Sequence, residues 1–338
     1  MLNHHPAIKF PHDHPAQLIV VIDTEEEFDW SKKPDKNAIA VSAMEKIHRV
    51  QDIFDDYQIT PCYVIDYPIA SQSAGYEPLQ EIFTAGHCEI GAHLHPWVNP
   101  PFDEELTFSN MYPGNLSRSL ELSKLKNLSQ QIEQVFGFSP EIYKAGRYGV
   151  GQHTAEILKE LGFTIDLSIC TSYDYRQDGG PDFSDAHAEP FWFAQRLEEQ
   201  NALLEIPLSG AFVGYAGKAG KHIYNLAHYF EVIKARGILS RLNIVDRLML
   251  SPEGYTSKEH IKLTKFLYNK GVRTFTWNFH SPSVVPGMTA YTQNEQELTQ
   301  FLDSFRYFFD FFFSQLGGQA STPTQLRQTL ISKQNGDS

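Results

Sequence analysis

Two imidazoles and two carboxylates sit where metal-assisted chemistry could use them. His93 and His95 end the short apolar run in Glu-Ile-Gly-Ala-His-Leu-His-Pro-Trp, residues 89–97. Side chains two apart on an extended strand project to one side, so both rings can reach a single cation. Asp23 and Glu25 repeat that spacing directly after the apolar run 18–22. One carboxylate can ligate a cation while the other accepts a proton from water, because a cation lowers one pKa and a nearby carboxylate raises the other. The expectation is a metal-assisted hydrolase with its chemistry on loops above a parallel sheet. Glu26 and Glu27, which complete the acidic cluster, are assigned to helix capping or to solvent.

Other reactive types also fall at the ends of strand-like segments: Lys144 and Arg147, Asp166, and His280 after the run 273–279. A histidine that titrates near neutrality suits a general acid for a leaving amine, and His280 is the candidate.

The elements that must position these groups alternate. Strand-like segments at 18–23, 60–66, 89–93, 142–145, 164–169, 203–207, 247–250 and 272–279 are interleaved with helical spacing at 38–57, 77–85, 116–136, 154–161, 257–269 and 295–313. Seven or eight strands, most followed by a helix, predict a parallel sheet that right-handed crossovers can close. The fold class expected is a single-domain α/β chain, a distorted parallel (β/α)7-type barrel; an open doubly wound sheet is the second choice. No Gly-rich nucleotide fingerprint follows the first strand, where acids stand instead. Residues 1–16, with His4, His5, His12 and His14 among prolines, read as a flexible leader, 17–316 as the barrel and 317–338 as a polar, frayed tail. The aromatic run 305–313 is expected to lie buried across the barrel, the alternative being a surface that covers a partner or lipid.

Composition excludes several classes. A hydrophobic content of 41% supports a sizeable core, and a formal net charge of −13 argues against a general nucleic-acid binder. The same charge disfavours electrostatic docking on anionic lipid. Cys62, Cys88 and Cys170 form no CxxC pair, so they read as buried thiols in a reducing compartment. No stretch approaches the length of a membrane span and no secretory signal is legible, so a cytoplasmic location is expected. Oligomeric state is not legible.

Taken together, these segments resemble the polysaccharide deacetylase family, the NodB-homology carbohydrate esterases, over residues 18–313, and its divergent WalW-like lipopolysaccharide-biosynthesis branch in particular. The first family motif, Thr-Phe-Asp-Asp-Gly, is matched by Ile22-Asp23-Thr24-Glu25, which implies Asp23 as base and Glu25 as the metal carboxylate. His93 matches the first histidine of the second motif; the second falls on Trp97, leaving His95 as the replacement. The third motif is similar to Tyr143-Lys144-Ala145-Gly146-Arg147-Tyr148, with Lys144 at the arginine position and Arg147 as a second source of guanidinium. Ile165-Asp166-Leu167-Ser168 resembles the fourth, and Phe279-His280-Ser281-Pro282 the last.

The resemblance implies a metal-dependent hydrolase that removes acetyl groups from an N-acetylated sugar in a polysaccharide or lipopolysaccharide precursor. Its divalent metal, zinc in the usual case, would be held by Glu25, His93 and His95. Asp23 would act as base and His280 as acid, with Asp166 and Arg147 setting positions and charge. Lys144, Tyr148, Trp97 and Trp277 would contact the sugar, the aromatics by stacking. The rivals are an inactive glycan-binding barrel of the same fold, a small-amide hydrolase, and an interaction protein.

Overall fold

The protein is described from a computed structural model that covers residues 5–29, 32–193, 202–227, 230 and 234–336. His4, within the expected leader, and residues 337–338 of the expected tail lie outside the described residues. The strands are β1 (Gln17–Thr24), β2 (Cys62–Ile65), β3 (Glu89–Leu94), β4 (Ile142–Ala145), β5 (Ile165–Asp166), β6 (Phe191–Phe193), β7 (Leu203–Glu205), β8 (Gly210–Val213), β9 (Asp246–Met249), β10 (Thr274–His280) and β11 (Gln319–Ala320). Nine of them form one curled, mostly parallel sheet in the order β10-β1-β2-β3-β4-β5-β7-β6, with β11 also paired to β1, and β8 and β9 pair separately. Only β6 runs antiparallel, against β7.

The circle is left open between the edge strands β6 and β10. Backbone and side-chain bonds from the ends of a separate β8–β9 ribbon cross the gap: Asn278 N–H donates to Leu250 O (3.1 Å) and Thr276 N–H to Ser209 Oγ (2.9 Å). Residues 247–250, expected as a barrel strand, therefore belong to this antiparallel ribbon. The distorted (β/α)7-type barrel holds, and the doubly wound alternative does not.

Side-chain parity divides the sheet. On β1, Leu18, Val20 and Ile22 pack outward with the surrounding helices, in a core shared with Ile53, Leu128 and Phe305. Ile19 and Val21 point inward and meet Val64, Ile142, Ile165 and Leu204. Odd positions of β1 and β3 and even positions of β4 thus face the barrel interior, and continuing along those segments the inward positions are Asp23, Glu25, His93, His95 and Lys144. The lower interior is apolar and the upper interior is charged.

Helices fix the frame. The helix Arg118–Phe136 starts at a Ser117 cap and stops at Gly137, whose φ of 80° a side chain would resist. Ser257–Asn269 opens with a reciprocal Thr256/Glu259 capping box. The aromatic helix Glu295–Phe309 buries Phe301, Phe305, Phe308 and Phe309 against the barrel, as expected.

Two expectations about the ends need correction. Residues 319–320 add a short strand, and the helix Pro323–Gly336 places Leu326 and Leu330 in the inner apolar cluster beside Ile19 and Val21. Read linearly, the segment is polar; two leucines one turn apart suffice to plug the barrel floor. At the other end, Ile8 N–H donates to Pro190 O (2.8 Å) and His5 stacks on Phe191 (5.6 Å), so residues 5–8 of the expected leader run against β6 and its approach.

Candidate active site

Strand register brings the reactive groups together. Asp23 pairs with His280 across β1 and β10, and His93 with Lys144 across β3 and β4. Above them lies a cleft of about 310 Å³, lined by Asp23, Glu25, His93, Arg147, Tyr148, Glu253 and His280, with Tyr112, Tyr175 and Tyr291 as aromatic walls. That size suits a small ligand or one unit of a larger one.

One corner of its floor gathers three buried side chains that could hold a metal ion. Glu25 Oε2 lies 3.5 Å from His93 Nε2 and 3.4 Å from His95 Nε2. All three side chains are buried, and Glu25 Oε2 has no hydrogen-bond partner. Donors roughly 2.0–2.1 Å from a tetrahedral ion stand about 3.3–3.4 Å apart, so the spacing fits zinc. The Nδ1 atoms are engaged elsewhere: that of His93 bonds Lys144 O (2.9 Å), and that of His95 bonds Glu26 Oε2 (2.8 Å). These partners assign the proton to Nδ1 and leave both Nε2 lone pairs facing Glu25. Burial keeps both rings neutral, holding His93 low and His95 near 4. It also lifts Glu25 to about 7, against the pull of His280 and His93. The three residues fit a divalent metal by type, spacing and protonation.

Glu26 is a functional residue the sequence reading missed. Far from facing solvent, it is fully buried, accepts from Trp97 Nε1 (2.8 Å) and anchors His95. Its own N–H donates to Asp66 Oδ2 (2.9 Å), while Asp66 Oδ1 caps the helix Tyr67–Ser71 through Ile69 N–H (2.8 Å). Burial, reinforced by Glu26 beside it, pushes Asp66 well above the usual carboxylate range. Burial also raises Glu26. A run of four acids can include one whose direction, set by the chain leaving the strand, is inward; nothing in the sequence singles it out.

The opposite corner is ion-paired. Lys144 Nζ donates to Asp23 Oδ2, Asn278 Nδ2 donates to Oδ1 (3.0 Å), and His280 Nε2 lies 3.6 Å from Oδ2. Burial opposes the Asp23 charge, yet the Lys144 ammonium and the two facing imidazoles hold its carboxyl near 2. His280 Nδ1 bonds Glu253 Oε2 (2.6 Å), and Glu253 also accepts from the His280 N–H (3.2 Å) and from Ser283 Oγ. Burial works against the imidazolium, but Glu253, Glu25 and Asp23 raise it to about 10. Glu253 too was missed; it follows the β8–β9 ribbon on no recognisable strand end.

The turn after β4 is shaped around this floor. A Cβ on Gly146 would meet His95 Cδ2 and Leu94 O at 2.5 Å, so only glycine lets the turn pass. Arg147 and Tyr148 follow with φ of 54° and 59°. Two successive non-glycine residues in the left-handed region store strain, of order 1–3 kcal/mol each. The turn presents Arg147, which bonds Tyr112 OH (3.3 Å), and Tyr148, whose ring lies 4.7 Å from Lys144 Nζ.

Of the expected site residues, Asp166, Trp277, Trp97, Lys144 and His95 do not line the cleft, and strand parity explains the first two. Asp166 lies between inward Ile165 and Leu167, so it points outward and bonds Ser168 Oγ and N–H, with Ser168 Oγ accepting Ala145 N–H (2.8 Å). Burial lifts Asp166 to about 6. It braces the end of β4 and touches nothing catalytic. Trp277 is likewise on the outward side, stacked on Phe308 (4.6 Å) among the helices, so it cannot stack a sugar. Trp97 is buried under the floor, stacked on His95 (4.3 Å) and bonded to Glu26. Lys144 is buried in an ion pair with Asp23, and the structure gives it no exposed surface for a ligand. The cleft's aromatic walls come instead from Tyr112, Tyr175 and Tyr291, which lie outside every predicted strand.

No known family model and no curated protein sequence matches the chain. Solved structures do. A protein from Mycobacterium smegmatis, provisionally described as a polysaccharide deacetylase, is similar at 15% identity and a TM-score of 0.50, over 89% of this chain and 87% of that one. Another from Pseudomonas aeruginosa PAO1, described in the same way, gives 12% identity and a TM-score of 0.51 over 91% and 88%. The Puue allantoinase gives 11% identity and a TM-score of 0.49 over 88% and 84%. At such identities the likeness shows the architecture, and the chemistry has to be argued from the site.

Proposed function

We propose that this chain is a metal-dependent hydrolase that removes acetyl groups from an N-acetylated sugar, within a polysaccharide or lipopolysaccharide precursor. One observation carries the reading: a Glu25/His93/His95 donor set faces an Asp23–His280 pair across a single cleft. The provisional description of the two solved proteins supports the carbohydrate side of the reading. The tyrosine walls, which can pack on a sugar face, support it as well. Unbridged, buried Cys62, Cys88 and Cys170 support a reducing, cytoplasmic setting.

Glu25 Oε2 and the Nε2 atoms of His93 and His95 would hold the cation. Zinc there supplies a Lewis acid for the acetyl carbonyl and acidifies a water. The remaining work belongs to the chain. Asp23, ionised throughout the neutral range, takes the proton released as the water attacks. Its low basicity suits a water already acidified, and Lys144 and Asn278 fix its direction. His280 enters the reaction charged and donates its Nε2 proton to the departing amine, while Glu253 holds the ring through Nδ1. Arg147 and Tyr148, on the strained turn, frame the reacting centre.

The test is acetate release from N-acetylated oligosaccharides by purified protein, before and after chelation and zinc return. Turnover that disappears on chelation and recovers with zinc is the expected result. Zinc bound in equal stoichiometry with no acetate released from any acetylated amino sugar would favour an inactive glycan-binding barrel, and release from small amides alone would favour an amide hydrolase.

A further inference from the structure

The chain as a whole is acidic, with 41 Asp and Glu against 28 Lys and Arg, but its charge is unevenly spread. Between β8 and β9, residues 214–247 reverse the balance: Lys218, Lys221, Lys234, Arg236, Arg241 and Arg247 stand against Glu231 and Asp246. Two short helices, Gly220–Ala227 and Ala235–Arg241, occupy this excursion and pack against one another.

Their solvent sides are unusual. Leu226 and Leu242 are each 61% exposed and Ile238 46%. Lys234, which precedes the second helix, and Ile238, Arg241 and Leu242, on it or at its end, are all exposed, so basic and branched apolar residues stand close together at one short helix. Single exposed apolar residues are ordinary; several on one basic excursion are not.

We propose that this face docks on an anionic lipid surface. At a lipid headgroup layer, leucine and isoleucine enter below the phosphates while lysine and arginine extend along them and keep their charge solvated. A protein–protein interface would have to desolvate those same ammonium groups among the leucines, and interface cores are depleted in lysine. Charge complementarity therefore selects the lipid. The net charge of −13 does not oppose this, because the field near a surface decays within about 8–10 Å at physiological salt, and the exposed Lys234 and Arg241 are the charges the lipid meets.

The placement gives docking a consequence. Arg247 packs over Tyr224 of the first helix (5.4 Å) and Tyr173 (3.9 Å), and Tyr173 stacks on Tyr175 in the cleft wall (5.8 Å). The lipid face and the cleft share this wall, so a docked protein holds its cleft beside the headgroup layer.

The experiment is co-sedimentation of the full chain with phosphatidylcholine vesicles, with and without phosphatidylglycerol. Binding is expected only with phosphatidylglycerol, and is expected to weaken as salt rises. The pair Leu226→Ser and Leu242→Ser should lower the partition coefficient about tenfold or more, and Lys234→Ser with Arg241→Ser by a similar factor. Tyr307→Ser, which alters an exposed aromatic on the helix Glu295–Phe309, should leave binding unchanged. No binding at low salt, or equal binding to both vesicle types, overturns the proposal. So does a dimer in sedimentation velocity that the leucine pair abolishes while the protein ignores vesicles, since the face would then belong to a second copy.

Discussion

Asp23 and Glu25 are two residues apart on one strand, share a face and are equally buried, yet the two corners they occupy have opposite electrostatics. Asp23 sits among an ammonium and an amide and is held near 2, whereas Glu25 faces two neutral imidazoles and rises to about 7. The difference is in what the neighbouring strands contribute: β4 and β10 deliver Lys144, Asn278 and His280 to one carboxylate, and β3 delivers only lone pairs to the other. A corner whose charges already balance holds a base in place. A corner where a carboxyl lifted to about 7 faces two neutral imidazoles is one whose ionised form a cation would stabilise.

This contrast can be broken from either side. The largest effect is expected at His93→Ala, which removes a donor from the cation corner: bound zinc, by elemental analysis, and acetate release should vanish together. Full activity with stoichiometric zinc would end the reading. Asp23→Asn strikes the balanced corner instead, and should lower turnover by about 10²–10⁴-fold while zinc stays bound. Simultaneous loss of zinc would mean that Asp23 is itself a ligand. Glu26→Gln tests the support behind His95; zinc affinity, from competition with a chromogenic chelator, should fall about 10–100-fold with smaller losses at saturating zinc.

Glu253→Gln sharpens the acid's side. The imidazolium of His280, raised to about 10, keeps its proton until pH passes through that value, so activity should fall only on the far alkaline limb. Without the Glu253 charge the limb moves down toward the ordinary histidine range, and the rate at pH 8 should drop by about tenfold. The stability linkage has the same sign: a raised imidazolium contributes fully below its unfolded value of about 6.5 and is lost as pH rises through about 10. An alkaline limb that stays in place in the variant would remove Glu253 from the mechanism.

Much of this site was legible without coordinates, for a specific reason. Asp23, Glu25, His93 and His95 follow apolar runs at two-residue spacing, and strand parity converts that spacing into a shared direction whatever the rest of the fold does. His280 was readable because it ends the last strand. The same rule was available to reject two assignments: Asp166 and Trp277 alternate with inward neighbours, but which neighbours are inward emerges only once the sheet curls. Glu26, Glu253 and the tyrosine walls belong to irregular segments, where no period ties position to direction. The tail was misjudged because Leu326 and Leu330 gain their meaning from the apolar hole they fill.

The docking face follows a similar logic. Total charge argued against an anionic surface, and total charge is what composition reports; the helices of residues 214–247 gather basic and apolar side chains on one side. Local patterning became visible only when Leu226, Ile238 and Leu242 were seen to be exposed beside Lys234 and Arg241.

The amino-acid sequence by itself determined the alternation of strands and helices, the mostly parallel sheet and the four residues of the floor that obey strand parity, because period and spacing act locally. Tertiary structure decided which acid is paired and which waits for a cation, which tryptophans are structural, and where the remaining acids act. Those properties depend on desolvation and on charges brought in from distant strands, and neither exists until the chain has folded.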